Sequence, residues 1–123
     1  MQTVHSTNAP NAVGPYSQAV IKNNTLFMSG QLGIDPISNS MPNDFTEQAN
    51  LVFSNIKAIL SAAGYGFAHI VKVSVFIKDM NDFQILNEIY ARHFDRPYPA
   101  RETIQVARLP KDGLIEISVI AMK

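Results

Sequence analysis

Cysteine and tryptophan are absent from the 123 residues of this chain. Without cysteine there is no disulfide, no thiolate nucleophile and no cysteine-based zinc site. No segment approaches the roughly 18 uninterrupted apolar residues that a membrane span requires. The opening stretch, MQTVHSTNAP, lacks both a basic start and an apolar run, so no signal peptide is expected there. An excess of charge is missing too, because ten basic and ten acidic residues cancel. That balance argues against non-specific nucleic-acid binding, whose affinity comes mainly from neutralising phosphates. A cytoplasmic location is the simplest expectation.

Cofactor and metal signatures are also lacking. His5, His69 and His93 are scattered and show no HExxH-like spacing, so each is expected to serve structure or surface. Gly64-Tyr65-Gly66 follows a helical pattern instead of preceding one, and reads as a helix end, not a phosphate cradle. The serines sit in no G-x-S-x-G elbow. No cofactor and no metal are expected. If the chain is an enzyme, its co-reactant is water.

What is present is a globular composition, 46% apolar and 16% charged. The length suits one domain over residues 1–123, with one core that needs no staples. The charge is unevenly spread: Arg92, Arg96, Arg101, Arg108 and Lys111 meet only Asp95 and Glu102 between positions 92 and 111. Such a local excess on a neutral chain fits a small anionic ligand better than a polymer. Ordinary surface charge explains each arginine singly just as well.

Residues 17–22 and 25–30 read as strands around Asn23-Asn24, a pair that tolerates the positive φ of a tight turn. Residues 31–43 read as loop. Asp44 with Glu47 resembles a capping box. Beyond it Phe45, Ala49, Val52, Phe53, Ile56, Ile59, Leu60 and Ala63 recur at helical spacing up to Gly64. Residues 69–78 form a β-branched strand, with Val71, Val73, Val75 and Ile77 on one face. Asn81 or Asp82 can cap a second helix with Leu86, Ile89, Tyr90 and Phe94 as its stripe, broken by residues 95–99. Strands at 100–106 and 114–122 close the chain. This order predicts an α+β sandwich with both helices on one face of the sheet. The other face needs cover, and a partner subunit is the obvious candidate.

Two side chains stand out chemically. Glu116 is the only charge in the last strand, and a lone carboxylate among apolar neighbours is costly unless paired or neutralised. Burial raises its pKa, which suits a general base or a water-orienting group; a salt bridge or a rim position is the structural alternative. Arg101 follows Tyr98-Pro99-Ala100, so its guanidinium leaves a rigid element. A planar fork of donors matches a carboxylate bidentately, although a structural ion pair would use it equally. Strand alternation groups Arg101 with Thr103 and Gln105 and turns Glu102 to the opposite side.

Four blocks then give the chain a resemblance, from about Ala9 to Met122, to the RidA (YjgF) family of imine deaminases. They are Gly14-Pro15-Tyr16-Ser17-Gln18-Ala19; Ser29-Gly30-Gln31-Leu32; Asn81-Asp82-Phe83 with Asn87 and Tyr90; and Pro99-Ala100-Arg101 through Ala107 and Leu109-Pro110-Lys111 to Ile115-Glu116-Ile117. The resemblance implies a chorismate-mutase-like α+β fold (bacillar type), a mixed sheet with two helices on one face, assembled as a homotrimer with clefts between subunits. It implies that Arg101 binds a substrate carboxylate and Glu116 positions or activates water. It also implies that Tyr16, Ser29, Gly30, Asn87 and Thr103 line the cleft. The implied reaction hydrolyses 2-imino acids such as 2-iminobutanoate and 2-iminopropanoate, released by PLP-dependent dehydratases, to 2-keto acids and ammonia. Two departures stand out: Glu102 replaces a small residue after the arginine, and Thr103 stands where some members carry cysteine. The rival expectations are a non-catalytic sensor of small carboxylates, an endoribonuclease or translation inhibitor, and a chaperone-like protein.

Overall fold

Asn23 and Asn24 both take positive φ, 51° and 61°, as a two-residue type I′ hairpin turn requires of both central positions. In the computed structural model, which describes residues 1–123, they join β2 (Ala19–Lys22) to β3 (Thr25–Met28). β1 (Gln2–Val4) adds to the outer edge of β2, and β4 (Gln31–Leu32) follows β3 along the same neighbour. That neighbour is the last strand, β7 (Ile115–Met122), which also pairs with β5 (Ile70–Ile77). β6 (Ala100–Gln105) forms the far edge, parallel to β5. The sheet runs β1-β2-β3-β7-β5-β6, with β4 on β7. Its one parallel pair needs a crossover, supplied by α2 (Phe83–Ala91).

The longer helix, α1 (Phe45–Ala62), starts where the Asp44 carboxylate accepts the Glu47 amide at 3.0 Å. It stops at Gly64, whose φ of 76° lets the Tyr65 amide reach back to the Leu60 carbonyl at 2.9 Å. Both helices cover one sheet face. Val52, Phe53, Ile56 and Ile59 from α1 and Leu86 and Ile89 from α2 are buried with Val73, Val75, Ile77, Ile115, Ile117 and Ala121 from the sheet. Each such valine, leucine, isoleucine or phenylalanine side chain contributes about 1.5–3 kcal/mol by leaving water. The opposite face carries Phe27, Ile104 and Met122 in the open and Val20, Phe76 and Ile120 half-buried. Seen as a single chain, that side is an open, mixed surface, because the same face carries Lys72, Ser74, Glu102, Glu116 and Ser118.

The α+β architecture and both helices stand as the patterning predicts, with four local differences. β1 and β4, three and two residues long, go unmarked in the sequence because neither is long enough to alternate. Val71 points outward and Ile70 inward, because the β5–β7 register shifts between Ile70 and Lys72 and a bulge reverses the alternation. Before α2, a 3₁₀ turn at Met80–Asp82 is capped by Asp79, which accepts the Asn81 amide at 2.9 Å; Asp82 flanks the helix without a side-chain bond. Phe94 is buried but lies beyond the end of α2. No helix is long and apolar enough to cross a membrane.

Candidate functional site

β3 and β4 behave as one strand broken at Ser29-Gly30. Phe27 pairs with Ile120 and Gln31 with Ile117 along β7, and the three residues between them, Met28, Ser29 and Gly30, make no pairing with it. The Glu116 side chain occupies this break. A Cβ placed on Gly30 would stand 2.7 Å from the Glu116 carboxyl carbon and Oε1. The carboxylate therefore lies against bare backbone, and any other residue at position 30 would displace it. Burial raises the Glu116 pKa above the ordinary glutamate range, and neither ion pair of the chain involves it.

Around Glu116 opens a cleft of about 540 Å³, lined among others by Tyr16, Gln18, Ser29, Gly30 and Lys111. Ser29 donates its hydroxyl to the Ser17 carbonyl at 2.6 Å, which leaves its oxygen lone pairs to accept. Tyr16 is half exposed, and its hydroxyl accepts the Val13 amide at 3.3 Å. Buried amides hold the walls. Gln18 accepts the Ser6 amide at 2.7 Å and donates to Pro10 at 2.9 Å, pinning the N-terminal segment. Asn55 donates to the carbonyls of Leu32 and Ile34 from beneath.

Arg101, Thr103 and Asn87 belong to a second cluster. Arg101 pairs in register with Val73, and Val73 with Val119, so this row of side chains faces the helices. Glu116 pairs with Phe76, and Phe76 with Ile104, on the opposite face. Within one chain, Arg101 and Glu116 thus lie on opposite sides of the sheet. The Arg101 guanidinium carbon stands 4.7 Å from the Tyr90 ring centroid and 5.7 Å from that of Phe83. Thr103 follows on the same face, paired with buried Val75, and its hydroxyl oxygen is buried without a partner. Asn87 is half-buried on α2, four residues after Phe83 and three before Tyr90. That spacing aligns the three on one helical face. The site residues expected from the sequence accordingly divide into two groups: Tyr16, Ser29, Gly30 and Glu116 around the cleft, and Asn87, Arg101 and Thr103 at the α2–β6 edge.

Lys111 and Gln18 were not picked out as site residues in the sequence. Lys111 lines the cleft from a left-handed backbone (φ 56°, ψ 24°), followed by Asp112 at φ 56°. The Arg108–Asp112 ion pair at 2.7 Å clasps this turn. Pro110, Asp112 and Gly113 mark a turn in the sequence, but the left-handed conformation falls on Lys111 and Asp112 and not on Gly113, whose φ is −60°. Glu102 does turn away from Arg101, as alternation requires: it accepts a hydrogen bond from Ser74 and pairs with Lys72 at 3.2 Å. The Ser74 hydroxyl, and then Lys72, hold its pKa below the usual range. His93 stacks on Phe53 with centroids 4.2 Å apart, and His69 accepts the Gly66 amide at 2.9 Å, so both serve structure. No three of His, Asp and Glu converge into a group that could hold a metal ion.

Comparison with known proteins places these residues in context. The family model described as Endoribonuclease L-PSP matches residues 6–123. A RutC family protein of Pyrococcus horikoshii is 49% identical over 123 residues, covering 99% of this chain and 98% of its own length. A 2-iminobutanoate/2-iminopropanoate deaminase of Capra hircus is 45% identical over 121 residues, covering 98% of this chain and 88% of its own length. Among solved structures, RidA from the Antarctic bacterium Psychrobacter sp. PAMC 21119 superposes with a TM-score of 0.97 at 47% identity over the whole of both chains.

Proposed function

Because the chain belongs to the Endoribonuclease L-PSP family, the group of the RidA, YjgF and RutC proteins, we propose that it is a cofactor-independent hydrolase of small 2-imino acids. The observation that carries this proposal is Glu116, a carboxylate with a burial-raised pKa and no counter-ion, seated over Gly30 in an open cleft. The goat relative's name supplies the substrate class, 2-iminobutanoate and 2-iminopropanoate.

The reaction needs little machinery. Arg101 grips the substrate carboxylate, and Glu116 accepts a proton from water as the oxygen adds to the iminium carbon. The product of that step is a carbinolamine. Glu116 then returns this proton to the nitrogen, the carbon–nitrogen bond breaks to release ammonia, and the hydroxyl proton passes by way of Glu116 to the departing ammonia as the ketone forms. Water is consumed, and a 2-keto acid and ammonium result. Glu116 returns to its starting state once the proton leaves.

Arg101 and Glu116 occupy opposite sheet faces, so one chain cannot apply both to one substrate. The proposal therefore includes assembly as a homotrimer, in which the Arg101 edge of one subunit meets the Glu116 cleft of the next. The exposed apolar residues of the open face, Phe27, Ile104 and Met122, supply surface for such packing. A head-to-tail interface repeated three times closes a ring. The natural setting of this chemistry is the cytoplasm, where dehydratases acting on serine and threonine release the imines.

The test is a coupled assay with threonine dehydratase in the presence of semicarbazide, which traps imine before it hydrolyses. Faster 2-ketobutanoate formation against the trap supports the proposal; no acceleration across several imino acids overturns it. Arg101→Ala is expected to abolish turnover at the low concentrations a short-lived imine reaches, with the fold intact, since losing a bidentate charged contact removes about 2–5 kcal/mol of binding. Arg101→Lys should restore little. Glu116→Gln separates an enzyme, which loses most turnover, from a carboxylate sensor, which keeps its affinity. An endoribonuclease is disfavoured by the zero net charge.

A further inference from the structure

Tyr90 and Phe83 carry no role in the hydrolysis described above, yet both rings lie against the one arginine on which it depends. We infer that they form an aromatic tray on α2 that holds the Arg101 guanidinium ready for a carboxylate, which makes them positioning residues for ligand binding. This inference rests on the proposed role of Arg101.

Three observations carry it. Arg101 projects from an edge strand, and β6 has β5 as its only neighbour, so the arginine is flanked by strand on one side alone. Neither ion pair of the chain includes Arg101. A long side chain with no acidic partner should sample many rotamers, and ordering it would weaken every binding event. The guanidinium carbon nevertheless stands 4.7 Å from the Tyr90 centroid and 5.7 Å from the Phe83 centroid, both within the range of cation–π attraction.

The choice of rings over a carboxylate has a chemical consequence. An acidic partner would fix Arg101 equally well, but it would occupy the N–H fork that a ligand carboxylate must use. An aromatic face attracts the cation through its quadrupole and presents no competing acceptor. The tray is itself rigid. Tyr90 is buried and stacks on Phe94 with centroids 4.4 Å apart, and it meets Phe53 edge-on at 6.1 Å. Phe83, more than a third exposed, closes the outer side. The two rings are seven residues apart, two turns of helix, so α2 presents both to β6 from one face.

Since the carboxylate is bound alike in the ground and transition states, loosening the tray should raise KM and leave kcat nearly unchanged. The decisive variant is Phe83→Leu, at the exposed ring. Its dissociation constant for 2-ketobutanoate, measured by calorimetry, is expected to rise roughly fivefold to tenfold, with KM following and kcat within about twofold. Tyr90→Leu should act in the same direction. Tyr90→Phe keeps the ring and removes a hydroxyl that is buried without a partner, so it should bind as wild type does. A purely structural role would lower the melting temperature and leave 2-ketobutanoate affinity alone. The inference is overturned if folded Phe83→Leu binds within twofold of wild type, if Tyr90→Phe loses as much as Tyr90→Leu, or if wild type and Arg101→Ala bind 2-ketobutanoate equally. Failure of the hydrolase proposal would look different: wild type would bind 2-ketobutanoate through Arg101 and the tray but leave imine hydrolysis unaccelerated.

Discussion

Glu116 links burial to activity through a single proton. Its carboxyl is raised above the ordinary glutamate range because burial penalises the charged form. As a base it must be ionised, so kcat should fall as pH drops through this raised pKa, giving an acid limb above the usual carboxylate region. Stability should move the other way. The folded protein keeps this proton to higher pH than the unfolded chain, so the group's contribution is full below its ordinary pKa and declines as pH rises through the raised one. A pH–rate profile and urea unfolding across the same window would check both slopes, and Glu116→Gln should flatten the stability slope. Were kcat flat down to the ordinary carboxylate range, Glu116 would not be the base. At this scale the sequence singled out a lone acid in an apolar strand and an arginine two residues after a proline, each with an ordinary structural reading beside it. Lys111 figured in the sequence as one of five basic residues between positions 92 and 111 and not as a site residue; its place in the cleft depends on a left-handed turn that the fold fixes.

Secondary-structure elements were legible wherever their signals were local. The Asp44 cap lies within three residues of the amide it satisfies, so it could be read directly. Asp44→Ala should destabilise the protein by about 1 kcal/mol, lowering the urea midpoint with an unchanged m-value; an unaffected midpoint would show that the start of α1 is held by packing alone. The Asn23-Asn24 turn was likewise written in two adjacent residues. The bulge at Val71 was not. It arises from a register shift against β7, some 50 residues along the chain. Nothing in the β-branched run from Ile70 to Ile77 distinguishes a strand that keeps its alternation from one that breaks it. β4 was hidden for a related reason: two residues count as a strand only because β7 lies alongside them.

The whole molecule sets the strictest test, because the two halves of the proposed site lie on opposite faces of one sheet. If each site combines Arg101 of one subunit with Glu116 of the next, two inactive variants should complement one another. Arg101→Ala and Glu116→Gln, unfolded together at equal concentration and refolded, should recover about one quarter of wild-type turnover, because each mixed ring regains one intact site in three. Recovery should be absent when the preformed variants are mixed without subunit exchange. No recovery after verified co-assembly would mean that both residues act within one chain, which overturns the shared site.

Composition, caps and the spacing of apolar residues determined by themselves that this chain folds as an α+β sheet with two helices on one face, and singled out Arg101 and Glu116. These features act over a few residues, so they survive in a linear string. Which side of the sheet each charge occupies was decided by tertiary structure alone, through the parallel pairing of β5 with β6 and the antiparallel pairing of β5 with β7. So was the seating of Glu116 in the gap at Gly30, and of Arg101 against Tyr90 and Phe83. Register and face are relations between distant segments, fixed by packing the core, and no stretch of sequence contains them singly.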